Sequence, residues 1–123
     1  MSPHDRNSDL TPLLPLKAVD FLILLMLAQG DRHGYGIMQD VEAHTDGGVR
    51  LEAGSLYRTI RRLAHDGLVT ESGRRPAADL DDERRRYYRL TPLGREVAVL
   101  ECRRLAALAE WGRKKLEKTG VTL

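Results

Sequence analysis

Residues 54–68 read Gly-Ser-Leu-Tyr-Arg-Thr-Ile-Arg-Arg-Leu-Ala-His-Asp-Gly-Leu, which predicts a short amphipathic helix ending at Gly67. On a 3.6-residue period, apolar and basic side chains fall on opposite sides of this helix. The apolar side holds Leu56, Ile60, Leu63 and Ala64, and the basic side holds Arg58, Arg61, Arg62 and His65. Such a helix can bury one face and present the other to a DNA major groove. The alternative interpretation is a surface helix with a solvated cationic face.

The composition is that of a soluble, single-domain globular protein. The chain has 123 residues, of which 31% are charged and 41% hydrophobic. The apolar run 16–28 contains Lys17 and Asp20 and is shorter than the roughly 20 residues that cross a bilayer, so it predicts a buried helix. No secretory signal is visible in residues 1–9, and a single cysteine, Cys102, fits a reducing compartment. A cytoplasmic location is therefore expected.

Positive charge is concentrated in the second part of the chain. Residues 1–53 contain four basic and eight acidic side chains, a balance of −4, whereas residues 54–123 contain sixteen and ten, a balance of +6. A positive potential after residue 54 could steer a polyanion toward the basic helix. Similar asymmetry also occurs in proteins that bind no polyanion.

Periodicity and punctuation divide the chain into helices and a hairpin. A flexible leader is predicted over residues 1–15, and a tail over 119–123. The helices are predicted at 17–29, at 35–44, after residue 54 with Ser55 or the preceding turn as its cap, and at 92–118 with Thr91 as its cap. Two β-prone runs, 68–72 and 84–90, flank a long loop and predict a hairpin.

Three helices followed by a hairpin is the order of a winged helix-turn-helix. The fold class is therefore mainly α with a β-hairpin, in which residues 16–91 form a DNA-binding domain and residues 92–118 form an additional long helix. Domains of this architecture also serve as protein–protein interaction modules without DNA binding, and architecture alone does not separate the two functions.

In a helix-turn-helix, the recognition helix meets DNA with its N-terminal residues foremost. The candidate DNA contacts on the helices are Ser55, Tyr57, Arg58, Arg61, Arg62 and, from the start of the second helix, Tyr35. Arg58 is the candidate for reading bases, since arginine can pair bidentately with guanine, and Arg61 or Arg62 is the candidate for phosphate. The alternative for Tyr57 is packing against the hairpin.

The hairpin contributes a second set of basic candidates. These are Arg74 and Arg75 on its outgoing arm and Arg84 and Arg85 on its return. Alternation along a strand places Arg85, Tyr87 and Arg89 on one face, opposite Arg86 and Tyr88. A minor-groove contact by the tip is the stronger form of this hypothesis. Four carboxylates between residues 79 and 83 oppose it, because they would repel phosphate or pair with the arginines.

The last helix carries two apolar stripes and so predicts contact with two surfaces, its own domain and a second subunit. The candidate dimerisation residues are Leu93, Val97, Leu100, Arg104, Leu108, Trp111 and, from the first helix, Phe21. Trp111 and Leu108 are also candidates for binding an aromatic effector between subunits. The alternative for Trp111 is a place in the interface core.

Catalytic and metal-binding patterns are absent from the sequence. Asp31, His33 and Ser55 lack a nucleophile elbow, and the four histidines and single cysteine have no ligand spacing. Cys102 is interpreted as a small buried hydrophobic residue and not as a reactive thiol. No metal, no cofactor and no enzymatic activity are expected.

The motifs in order resemble those of the PadR-like transcriptional regulators. His33-Gly34-Tyr35-Gly36-Ile37 is similar to the start of that family's second helix, and Gly54-Ser55-Leu56-Tyr57 to its third. The remaining matches are Leu63, Asp66-Gly67-Leu68-Val69, the run from Arg86 to Thr91, and Gly94. The resemblance covers about residues 16–96.

The resemblance implies a homodimeric winged-helix repressor in the cytoplasm, with the C-terminal helix as dimerisation arm. In some relatives aromatic or drug-like effectors bind near the dimer interface. Two departures matter: the acidic insertion 79–83 puts the wing contact with DNA in doubt, and the single C-terminal helix resembles the short-armed branch. The function hypothesis is a sequence-specific repressor of a pseudo-palindromic operator, released by a small aromatic effector.

Overall fold

Four helices and three short strands build the chain in the computed structural model, which describes residues 10–73 and 86–123. The helices are α1 (Ala18–Ala28), α2 (Gly34–His44), α3 (Ala53–His65) and α4 (Pro92–Glu117); the strands are β1 (Arg32–His33), β2 (Val69–Glu71) and β3 (Tyr87–Leu90). Helix α3 begins two residues before Ser55, and the side chain of its N-cap, Glu52, makes no cap hydrogen bond. The cap predicted at Ser55 is therefore wrong.

Helix α1 lies at the centre of the fold, as its nearly uniform apolar character predicts. Ile23, Leu24 and Leu27 are buried among apolar side chains of α2, α3 and α4. Each of those three helices contributes fully buried residues, namely Ile37, Val41, Leu56 and Val97. The three-helix domain and the first half of α4 thus share one core.

The leader is partly ordered, contrary to the prediction of a flexible segment over 1–15. Thr11–Leu13 forms a 3₁₀ turn, Leu10 is buried, and Leu14 packs against the core. The first nine residues lie outside the described part of the chain. Apolar side chains explain the difference, because burying Leu10 and Leu14 removes hydrocarbon from water.

A buried carboxylate ties Leu16, which directly follows the leader, to α4. Glu101 is 1% exposed, and its Oε2 accepts a hydrogen bond from the backbone amide of Leu16 at 2.9 Å. Arg104 donates to both of its carboxylate oxygens, at 2.5 and 3.0 Å. The Arg104 guanidinium, and to a smaller extent the Leu16 amide, holds the pKa of Glu101 below its ordinary value although burial acts in the opposite direction.

The strands form one antiparallel sheet in the order β1-β3-β2. Val69 pairs with Leu90 and Glu71 with Tyr88, which is the predicted hairpin. The two-residue strand β1 pairs with the other edge of β3, where Arg32 faces Tyr88. The sequence does not predict β1, since two residues are too few to show periodicity.

Helix α4 begins as predicted. The Thr91 hydroxyl accepts a hydrogen bond from the Gly94 amide, and Pro92 occupies the first position. Val97, Ala98 and Glu101 face the core, whereas every side chain that follows Glu101 in the helix is exposed apart from half-buried Gly112. Val97 is fully buried in its own subunit, so its assignment to the dimer interface is corrected.

Gly94 is required where α4 crosses the end of the hairpin. A Cβ at this position would collide with the Leu68 carbonyl oxygen and would approach Leu90 Cδ1 to 2.7 Å. The clash is with backbone, which cannot yield as a flexible side chain can. Close packing of α4 on the sheet therefore excludes any larger residue here.

We expect Gly94→Ala to lower the free energy of unfolding by about 1–3 kcal/mol, because overpacking forces backbone displacement. Chemical denaturation followed by far-ultraviolet circular dichroism measures the change. Gly54→Ala is the control, since a Cβ there meets nothing within 4 Å and alanine favours helix by up to about 1 kcal/mol. Equal stability of the Gly94 variant and the parent chain would contradict the close approach.

We expect Glu101→Gln to lower the free energy of unfolding at pH 7 by about 1–2 kcal/mol, the lower part of the range for charged hydrogen bonds because Arg104 is half-exposed. Since the folded pKa is lowered, the stabilisation is complete above the ordinary value of 4.5 and is lost as the pH falls through the folded value. Denaturation measured from pH 7 to pH 3 should show the difference in unfolding free energy between the parent chain and the Glu101→Gln variant shrinking as the pH falls. Glu110→Gln, in an exposed pair on the same helix, is the control. A difference in unfolding free energy that stays constant over this pH range would contradict the prediction.

Candidate nucleic-acid interface

Helix α2 starts at a fixed point beside the sheet. His33 is its N-cap, and Nδ1 of this histidine accepts a hydrogen bond from the Gly36 amide at 2.8 Å. The His33 ring also meets the edge of the Tyr87 ring at 5.4 Å between centres. The second helix is thereby held against β3 by its first residues.

Gly34 and Tyr57 bring α2 and α3 into close contact. A Cβ on Gly34 would lie within 3 Å of the Tyr57 ring, so only glycine admits the tyrosine there. Tyr57 is 5% exposed as a result. Its predicted DNA contact is therefore corrected to a packing role. The sequence alternative was packing against the hairpin, whereas in the structure the Tyr57 ring packs against Gly34 at the start of α2.

The recognition-type face of α3 points away from the core. Leu56, Ile60 and Leu63 are buried, while Arg58, Arg61 and His65 are exposed on the opposite side of the helix. The predicted division of the helix is confirmed except at Ala64, which is exposed.

Ser55 and Arg58 lie together near the start of this exposed face. The Arg58 Nη2 donates to Ser55 Oγ at 3.3 Å, and both side chains are exposed. Tyr35, at the start of α2, is also mostly exposed. The structure thus places Ser55, Arg58, Arg61 and Tyr35 at the surface on two adjoining helices.

A carboxylate of α1 holds Arg62. Its Nη1 and Nη2 donate to the two carboxylate oxygens of Asp20, at 2.8 and 2.9 Å. This hydrogen-bonded partner raises the pKa of Arg62. On the sequence alone, Arg61 or Arg62 is the candidate phosphate contact. In the structure, Arg62 is already engaged in an ion pair with Asp20 of the same subunit.

The described part of the hairpin places two arginines at the surface. Arg89 donates to both oxygens of Asp31, at 3.2 and 3.0 Å, and Arg86 lies 3.9 Å from Glu71. Tyr88 and Leu90 are buried, so β3 alternates as predicted. The four predicted wing contacts lie outside the described residues: Arg74, Arg75, Arg84 and Arg85.

The second half of α4 extends an apolar strip beyond the domain. On the helical period, Leu105 and Leu108 continue the face that Val97 and Glu101 bury, and Trp111 lies at its margin. All three apolar side chains are exposed, with 54% of Leu108 and 61% of Trp111 accessible. Of the other dimerisation candidates, Leu93, Leu100 and Phe21 are half-buried against the core, while Arg104 binds Glu101.

Trp111 lines an open depression of about 470 Å³ with Lys114, Lys115, Glu117 and Lys118. The Lys115 ammonium lies 5.5 Å from the centre of the Trp111 ring and covers one of its faces. Leu108 does not line this depression, although it lies one turn before Trp111 on the same apolar strip.

Three further features bear on function. Within residues 10–73 and 86–123, no group of three or more histidine, cysteine or acidic side chains is arranged to hold a metal ion. Cys102 is exposed, which corrects its interpretation as a buried residue. None of the described helices combines the length and apolar character needed to cross a membrane.

Sequence reasoning missed the roles of Asp20 and Glu101, whose carboxylates are buried. A signal for Asp20 was present, since a charge inside an otherwise apolar run needs a buried partner. Glu101 lies on the extension of the apolar face that contains Val97, and an acidic residue there carries the same signal.

Comparisons with known proteins agree with this geometry. The model of the transcriptional regulator PadR-like family matches residues 23–99, more than half of the chain. The transcriptional regulator Rv3488 of Mycobacterium tuberculosis is 39% identical over 99 residues, which cover 80% of this chain and 83% of that protein.

Two crystal structures share the fold. A PadR family transcription regulator from Clostridium difficile superposes with a TM-score of 0.66 at 21% identity, covering 81% of this chain and 99% of the other. Bacillus subtilis PadR in complex with operator DNA gives a TM-score of 0.57 at 20% identity, covering 67% and 46%. The winged helix-turn-helix prediction is confirmed, and so is the expectation that the chain is no enzyme. The chain belongs to the PadR-like family of transcriptional regulators.

Proposed function

We propose that this regulator binds a pseudo-palindromic operator as a homodimer and represses transcription from it. The observation that carries the proposal is the exposure of Arg58 and Arg61 on a helix whose opposite face is locked into the core. Guanidinium groups held in this way can reach guanine edges and phosphates in the major groove. The cytoplasmic location expected from the sequence stays a prediction.

The roles of the exposed side chains follow from their positions. Arg58 lies one turn into α3, where a recognition helix reads bases, and Ser55 precedes it on the same face. Arg61 lies one turn further on, toward the flanking phosphates. Bacillus subtilis PadR, which shares the fold, has been crystallised with operator DNA, and this supports DNA as the ligand of the present chain.

A second copy of the chain is the proposed occupant of the exposed strip on α4. The strip continues the face that its first half buries, and exposed apolar side chains in a row are typical of an interface. Two-fold symmetry would place the recognition helices about 34 Å apart on successive turns of the duplex. The proposed interface consists of Leu105, Leu108 and Trp111, with Phe21 and Leu100 at its edge.

Release from the operator by an aromatic effector is a further part of the proposal. Trp111 supports it, because one face of its ring is open to solvent at the proposed subunit interface. An aromatic or cationic ligand could stack on that face. The partner subunit would have to close the depression around Trp111 for it to hold a ligand.

DNA binding by the parent chain should weaken as salt rises, with a log–log slope near −0.9 per phosphate contacted. We expect Arg58→Ala to reduce discrimination between a preferred and a random duplex by about 1–3 kcal/mol, because it removes a base contact. Arg61→Ala should weaken both duplexes alike and make the slope shallower by about 0.9. Fluorescence anisotropy over a series of salt concentrations measures all three quantities.

Arg103→Ala is the matched control, since it removes one exposed arginine from α4 and not from the recognition helix. It should leave discrimination unchanged. A parent chain whose binding does not depend on salt, or identical behaviour of the Arg58 and Arg61 variants on both duplexes, would contradict the proposed roles.

We expect Leu108→Lys to convert the dimer to monomer at micromolar concentration, because it places a charge within the apolar strip. Sedimentation velocity measures the change. Val99→Lys is the control, as Val99 is an exposed apolar residue on the opposite side of α4. Dimers that survive the Leu108 substitution but not the Val99 substitution would place the interface on the other face.

A further inference from the structure

Asp20 is a buried carboxylate inside an apolar helix. It is 4% exposed, and its neighbours on the same side of α1 include Ile23 and Leu24, which are fully buried. Both of its oxygens accept hydrogen bonds from the Arg62 guanidinium, at 2.8 and 2.9 Å. This bidentate pair joins α1 to the last turn of α3, two segments that are 42 residues apart.

Asp20 is buried whereas Arg62 is partly exposed, and this difference determines whether Arg62 can leave Asp20 for a DNA phosphate. The Asp20 side chain is 6% exposed, while that of Arg62 is 44% exposed. Moving Arg62 to a phosphate would gain one solvent-screened contact but would leave a carboxylate unpaired in the core. The second effect is the larger, so Arg62 stays on Asp20 when DNA binds.

Two contacts on different elements therefore fix α3 along its length. Near its start, Tyr57 packs against Gly34 of α2. Near its end, Arg62 binds Asp20 of α1. Between them lie Arg58 and Arg61, whose direction depends on the angle that these two contacts impose on the helix.

We infer that Asp20 is a positioning residue for DNA recognition, which acts through Arg62 and touches no DNA itself. It fixes the last turn of α3 so that Arg58 keeps its register on the bases, and it withholds Arg62 from phosphate. This inference rests on the proposed function and removes Arg62 from the candidate phosphate contacts.

The double variant Asp20→Asn/Arg62→Gln is the sharpest test. It leaves net charge unchanged and no unpaired buried charge, so it should fold even where a single variant does not. The control is the double variant Arg32→Gln/Asp40→Asn, which removes a half-exposed ion pair. Like the test variant, it removes one positive and one negative charge. Circular dichroism establishes that each variant is folded.

Affinity is measured on two duplexes of equal length, one enriched from a random library by the parent chain and one of random sequence. We expect the Asp20/Arg62 double variant to lose about tenfold on the enriched duplex, because the helix is no longer held in register. Its affinity for the random duplex and its salt slope should stay at the parent values. The Arg32/Asp40 double variant should change less than about twofold on either duplex.

The single variant Arg62→Gln separates positioning from phosphate binding. It should keep the parent salt slope, whereas Arg61→Gln should make the slope shallower by about 0.9. Equal losses on both duplexes in the Asp20/Arg62 double variant, or a slope in Arg62→Gln that matches Arg61→Gln, would overturn the inference while the proposed function stands. A parent chain that enriches no sequence would overturn both.

Discussion

The burial of Leu56, Ile60 and Leu63 in the core is the constraint on which the rest of this structure depends. Each such side chain contributes about 1.5–3 kcal/mol when it leaves water, and an exposed ion pair contributes about 1 kcal/mol or less. Packing therefore sets the rotation of α3, and the basic side chains take the opposite face. Arg58 and Arg61 face solvent because their neighbours on the helix cannot.

Polar contacts refine what the apolar core establishes. Asp20 and Glu101 are both buried in the described residues, and each is bonded to an arginine that remains partly exposed. The Asp20 pair joins α1 to α3, whereas the Glu101 pair lies within α4, where the Glu101 carboxylate also accepts a hydrogen bond from the Leu16 amide. Buried pairs of this kind add little net stability but penalise any arrangement that separates them. They therefore restrict how the helices can be arranged around the core more tightly than hydrophobic packing alone does.

Much of the fold could be predicted from the sequence because its signals are local. The amphipathic period of α3, the Thr91-Pro92 start of α4 and the β-prone runs all act within a few residues. The two-residue strand β1 and the ordered segment 10–15 depend on distant partners, and local patterns do not contain that information. In the candidate site, the exposure of Arg58 was predictable, whereas the burial of Tyr57 depends on a glycine of another helix.

Helix α4 combines two environments in one continuous helix. Its first half closes the domain core, and its second half presents the same apolar face to solvent, where a second copy of the chain is the proposed partner. In the proposed dimer, the spacing of the two recognition helices depends on the length of α4. The direction of the arginines follows from packing within one subunit.

The central claim is that the arginine face of α3 is the surface that meets DNA. Nuclear magnetic resonance of the arginine Nε–Hε groups, followed as a duplex is added to the labelled chain, tests it most directly. The account predicts that the signals of Arg58 and Arg61 shift while that of Arg113, on the distal part of α4, does not. Shifts at Arg113 with none at Arg58 and Arg61 would contradict it.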